Sequence, residues 1–210
     1  RIFSCELNRR SPQIARQLPR RNPMLARILS LTVGAFVGAV SAAHSAEPDI
    51  PLAEHPRPDF QRTAWPNLNG WWEFQLDRDN RGTATGWASG RAPFADKILV
   101  PFPWGSKLSG VENRADIAWY RRTIRVPRQW EGQRVFVVVG ACDWITQGWL
   151  DGKPIGEHRG GYTPFEFELT PEVRWGEEQQ PVRRVDDAPR PVKLEGEQGY
   201  GAAKGVWQTV

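Results

Sequence analysis

The chain has 210 residues, 40% hydrophobic and 25% charged, enough for one ordinary domain with a sizeable core. Its formal charge of +4 belongs to the first stretch: residues 1–46 carry seven Arg against Glu6, for +6, while residues 47–210 carry 21 basic and 23 acidic side chains, for −2. That balance leaves no basic stripe for nucleic acid on the globular part. The two cysteines, Cys5 and Cys142, supply neither a disulfide framework nor a metal motif.

Residues 1–23 are Arg-rich and aperiodic and precede Met24, the only methionine. They read as translated upstream sequence. From Met24 the pattern is that of a secretory signal peptide: Arg27, an apolar run from Ile28 to Ala43, and small residues to Ala46. Cleavage is expected after Ala43 or Ala46, which sends the mature chain to a periplasm or outside the cell. A membrane anchor is the alternative, but the run is short and rich in Gly and Ala for a stable span. Residues 47–64, with Pro48, Pro51, Pro56 and Pro58, read as an extended linker.

Beyond it the period is two. Trp71–Leu76 alternates, with Trp72, Phe74 and Leu76 on one face, and predicts a strand. Asp77–Gly90 reads as a loop, Ile98–Val100 as a short strand closed by Pro101 and Pro103, and Ser106–Asp116 as a second loop. Ala118–Val126 is expected as one strand ended by Pro127. The unbroken apolar run Val135–Val139 predicts a central strand buried on both faces. Thr146–Leu150 and Pro154–His158 flank Asp151-Gly152, a strong hairpin signal. Gly160-Gly161-Tyr162-Thr163-Pro164 is a turn leading into Phe165–Leu169, where Phe165, Phe167 and Leu169 face one way and Glu166 and Glu168 the other. Pro181–Val185 reads as a weak edge strand, because a proline cannot donate to a ladder. Asp186–Lys204 is loop, and Val206–Val210 begins another strand. Many short strands with no amphipathic helix define an all-β, antiparallel β-sandwich. The 11 Trp are read mainly as core, some as surfaces on which a sugar ring could stack.

A search for chemistry finds little. His44, His55 and His158 lack metal-ligand spacing, Cys142 has no neighbouring base and reads as a buried thiol, and no phosphate loop precedes a helix. No catalytic residue, cofactor or metal is assigned. Glu166 and Glu168 read as a solvated sheet face.

Three stretches together resemble the N-terminal domain of glycoside hydrolase family 2, the family of β-galactosidases, β-glucuronidases and β-mannosidases. They are Val100-Pro101-Phe102-Pro103-Trp104 running on to Ala118-Trp119-Tyr120-Arg121-Arg122; Trp149-Leu150-Asp151-Gly152-Lys153 through Gly156 to Phe165; and Gly205-Val206-Trp207-Gln208-Thr209-Val210. The resemblance covers residues 65–210 and implies a jelly-roll sandwich, often called the sugar-binding domain. In that family it packs on an immunoglobulin-like sandwich and a (β/α)8 barrel that holds both catalytic glutamates. The chain is thus expected to be the N-terminal fragment of a secreted retaining exo-glycosidase, inactive by itself, whose partners are a carbohydrate substrate and the missing domains. Pro181 and Arg183 depart from the pattern, standing where a more apolar strand is expected. The substrate-binding candidates are Gln198 and Tyr200, on the loop before the last strand, with Tyr162, Asp143 and Trp144. Gln198 and Tyr200 read equally well as part of a solvent loop, Trp144 as core, and Asp143 as a partner of turn backbone. A self-standing carbohydrate-binding module and a purely structural sandwich are the competing readings.

Overall fold

A computed structural model describes residues 50–189 and 204–210. The predicted upstream sequence and signal peptide, together with Gln198 and Tyr200, lie outside those residues. The chain divides into two units, Arg1–Ser45 and Ala46–Val210, and everything described belongs to the second. Twelve strands follow in order: β1 (Gly70–Leu76), β2 (Asp96–Val100), β3 (Ile117–Arg121), β4 (Ile124–Arg125), β5 (Phe136–Val139), β6 (Cys142–Asp143), β7 (Ile145–Leu150), β8 (Lys153–Arg159), β9 (Phe165–Glu168), β10 (Glu178–Gln179), β11 (Pro181–Asp186) and β12 (Gly205–Val206). Among the described residues only short 3-10 turns interrupt them. Among the described residues no helix is long and apolar enough to cross a membrane.

A six-stranded antiparallel sheet runs β2-β1-β3-β11-β7-β8, and three two-stranded ribbons, β10-β4, β12-β6 and β5-β9, complete the sandwich-like arrangement. One hydrophobic cluster joins the two parts: Trp72 and Phe74 of β1 and Tyr120 of β3 share it with Val137 and Val139 of β5, Phe165 and Phe167 of β9, and Val206 of β12. The alternation read in β1 holds, with Trp72, Phe74 and Leu76 buried and Trp71 59% exposed. Phe165 and Phe167 are buried as their period of two requires, and Glu166 is exposed. The Asp151-Gly152 turn does join β7 to β8.

Three expectations are corrected. Pro181–Val185 is not an edge strand: β11 pairs with β3 on one side and β7 on the other, and its first five residues are buried. Pro181 is tolerated because it opens the strand, where the missing N–H breaks no run of ladder bonds. Its carbonyl accepts from the Arg122 N–H at 3.3 Å. Val135–Val139 is not a central strand. Among the described residues β5 pairs only with β9, and Val137 and Val139 are buried while Phe136 and Val138 are half-buried. The strands buried on both faces are instead β3, every residue of which is buried, and β11. Ala118–Val126 is also not continuous. It breaks after Arg121, and β4 leaves the main sheet to pair with β10.

The outer face of the sheet carries its own aromatic layer. Trp119 and Trp149 stack at 5.4 Å and Trp87 meets Trp119 edge-on at 6.0 Å. The buried Asp77 carboxylate binds this layer to the loop that covers it, accepting from the Trp119 indole N–H (2.9 Å), Arg81 N–H (2.8 Å) and Gly82 N–H (2.9 Å). Reading Asp77–Gly90 as loop is correct, but sequence alone does not reveal its role as a lid on Trp119.

Candidate functional site

At one end of the sheet, β6, the turn at residues 160–164 and the segment from Lys204 onward converge. β12 pairs with β6, placing Gly205 opposite Asp143 and Val206 opposite Cys142. Gly205 allows this approach in two ways. Its φ is +82°, and a Cβ there would lie 2.1 Å from Trp104 and 2.3 Å from the Tyr120 hydroxyl. The strand then crosses the turn: Trp207 N–H donates to Ala141 O at 3.2 Å, and its indole N–H donates to Gly161 O at 2.8 Å.

Three of the five sequence candidates meet at this turn. Asp143 is 8% exposed, and its Oδ1 lies 2.8 Å from where a Gly161 Cβ would sit, so a side chain at 161 would have to displace the carboxylate. Trp144, half-buried, contributes its carbonyl, which accepts from Gly160 N–H at 3.0 Å. Tyr162 is 61% exposed, its ring edge-on to Trp207 with centroids 6.0 Å apart. Gln198 and Tyr200, outside the described residues, receive no placement. Trp207 is the residue that sequence reasoning missed. It was legible as part of a strand, but nothing in spacing links position 207 to position 162.

Lys204 also escaped notice. Its Nζ donates to Asp116 Oδ1 at 2.9 Å and to Asp187 O at 3.3 Å, and lies 3.9 Å from Asp187 Oδ2. It therefore ties the start of the terminal segment to the ends of two sheet strands. Nearby, where β1 ends and β2 begins, a polar cavity of about 470 Å³ is lined by Gln75, Asp79, Arg81, Trp87 and Asp96, among others. The register of β1, β3, β11 and β7 places this cavity at the same end of the sheet as Ile145.

Hydrogen bonds from Arg121, Arg159 and Arg134 hold Glu73, Glu157 and Glu168 below the usual carboxylate range, so these groups keep a charge and do not store a proton for an acid step. Burial pushes the Cys142 thiol up to about 12, which removes it as a nucleophile. His158 is shifted down by burial and stacks face-to-face on Phe165 at 4.0 Å. Among the described residues no group of His, Cys, Asp and Glu could hold a metal ion.

The architecture so far is that of an antiparallel, sandwich-like all-β domain whose loops gather at one sheet end. The model for glycosyl hydrolases family 2, sugar binding domain, matches residues 65–189, and the chain belongs to that family. It is similar to the β-glucuronidase of Paenibacillus borealis, 32% identical over 108 residues that make up 50% of this chain and 18% of that protein. It is also similar to the β-galactosidase of Thermoanaerobacter pseudethanolicus, 33% identical over 60 residues, 29% of this chain and 8% of the other. The chain thus spans less than a fifth of the length of these relatives. Among solved structures, Ruminococcus gnavus β-glucuronidase superposes with a TM-score of 0.59 at 18% identity, over 69% of this chain and 28% of that one. Its complex with uronic isofagomine gives 0.60 at 17%, over 69% and 27%. At such identities the likeness speaks for the fold alone.

Proposed function

We propose that the chain is the N-terminal, jelly-roll domain of a secreted, retaining exo-glycosidase, where it braces a catalytic barrel and helps wall the substrate pocket. The observation that carries this reading is the family match over residues 65–189, made by a chain whose relatives are several times longer. The names of those relatives favour a β-linked hexoside or hexuronide as substrate. The rim formed by Tyr162 and Trp207, with the buried Asp143 beneath the turn, is the part of the domain offered to the sugar. An exposed aromatic ring suits the C–H face of a pyranose, and loops on a rigid sandwich commonly carry binding groups. Export rests on the apolar run from Ile28 to Ala43 that follows Arg27.

Two measurements test the proposal. The purified chain is expected not to hydrolyse 4-nitrophenyl β-glucuronide or β-galactoside, because the family match is to a sugar binding domain; turnover that co-elutes with it sinks the reading. The source gene is expected to continue in frame into a second sandwich and a barrel bearing two glutamates. Micromolar binding of a sugar by the isolated chain would instead support a self-standing binding module.

A further inference from the structure

The polar cavity at the end of β1 shares no residue with the rim at Tyr162 and Trp207. Its volume is about 470 Å³, and separate segments converge on it: Gln75 lies near the end of β1, Asp79, Arg81 and Trp87 belong to the lid loop, Asp96 opens β2, and Asn113 lies ahead of β3. Part of the wall is fixed by its own contacts. Gln75 Oε1 accepts from Ala95 N–H at 3.1 Å, and its Nε2 donates to Leu76 O at 3.1 Å. The buried Asp77 carboxylate, also in the wall, is taken up by its three N–H donors. Trp87 is half-buried and held between Trp119 and Phe94, with ring centroids 6.0 Å and 6.1 Å away.

The remaining groups are unengaged. Asp79, Arg81, Asp96 and Asn113 are exposed, and among the described residues their side chains form no hydrogen bond or ion pair. Asp79 and Asp96 offset Arg78 and Arg81 in charge. With Asp77 already saturated by donors, the opening favours neither an anion nor a cation. An apolar ligand would strip water from these groups and return nothing. A sugar does better, because each hydroxyl both donates and accepts. Hydroxyls donate to the Asp79 and Asp96 carboxylates and accept from the Arg81 guanidinium and the Asn113 amide, while the Trp87 indole supplies apolar surface for a C–H face.

We propose that this cavity is a second, non-catalytic carbohydrate site, which takes a neutral pyranoside of about one or two rings. Its volume falls within the roughly 300–1,000 Å³ of small-molecule sites. An open, mostly polar wall returns little beyond the hydrogen bonds that water already makes, so affinity is weak. The site stands on its own lining and depends neither on the rim nor on a catalytic barrel.

The test uses the whole chain, isotope-labelled for NMR and titrated with lactose, a neutral β-linked disaccharide. The amides of Asp79, Arg81, Asp96 and Asn113 and the Trp87 indole N–H are expected to shift together, with a Kd of about 1–10 mM. That range is distinct from the micromolar binding that would mark a self-standing module. Asp96→Ala combined with Asn113→Ala removes two exposed, unbonded side chains. It should leave the melting temperature unchanged and weaken lactose binding about tenfold. Raising sodium chloride from about 50 to 500 mM should change the Kd by less than about twofold, because the ligand is uncharged. Absent shifts at the cavity, an unchanged affinity in the double variant, or a steep loss of affinity with salt each overturn the proposal. Shifts confined to Tyr162 and Trp207 also overturn it, while leaving the reading of the rim intact.

Discussion

Asp77 shows how much a single buried carboxylate can organise. Its three donors come from the lid loop and from Trp119, so Asp77→Ala leaves several buried N–H groups unmatched. A loss of about 3 kcal/mol is expected in urea unfolding, with Trp fluorescence reporting exposure of the Trp119–Trp149 stack. Gly161 is the corresponding point at the rim. Gly161→Ala pushes a methyl into the Asp143 carboxylate and should cost about 1–3 kcal/mol; an unchanged midpoint would show that the turn does not rest on Asp143. His158 supplies a pH signature. Burial lowers its folded pKa from 6.5, so the unfolded chain takes up the proton first as pH falls. Its stabilising contribution is complete above about 6.5 and drains away as pH drops through the lower folded value. His158→Gln should flatten this part of the melting-temperature profile relative to the parent chain.

At the scale of elements, β11 is the informative strand. Its neighbours on both sides predict that the amides of Val182 to Val185 exchange with deuterium among the slowest in the chain, and that those of β2 and β8, the sheet edges, exchange faster. Exchange of β11 at edge-strand rates would contradict the pairing. The proline rule misread this strand because it concerns a missing donor, and a missing donor matters little at the first position of a strand. The Val135–Val139 run fails for a different reason. An apolar sequence records that residues can be buried, not how many layers bury them, and among the described residues β5 has only β9 beside it.

At the scale of the molecule, Asn69 is where residues 51–52 and 209–210 meet. Its amide nitrogen donates to the carbonyls of Pro51 (2.9 Å) and Leu52 (2.9 Å) and to Thr209 Oγ1 (3.2 Å), and its Oδ1 accepts from Val210 N–H at 2.9 Å. The segment read as an extended linker is therefore tied to the sandwich at residues 51 and 52. Asn69→Asp keeps the acceptor but replaces the donor with a second oxygen facing two carbonyls. It should cost about 2 kcal/mol and speed proteolysis before residue 60, the two effects appearing together. If proteolysis is unchanged, the lead-in is held elsewhere.

The sequence by itself determined the all-β class, the inward faces of β1 and β9 and the β7–β8 hairpin, because period-two patterning and turn residues are local and survive in a linear string; the family rested on the resemblance of three stretches. It also picked out Asp143, Trp144 and Tyr162, which the fold brings to one turn. Only the tertiary structure decided that β11 is central, that Trp207 meets Tyr162 while Lys204 ties the ends of β3 and β11, and that Arg183 lies in the core with no hydrogen-bond partner on its Nη atoms among the described residues. Those facts depend on pairings between segments tens of residues apart, and strand order is set by the packing of whole faces rather than by any stretch of chain alone.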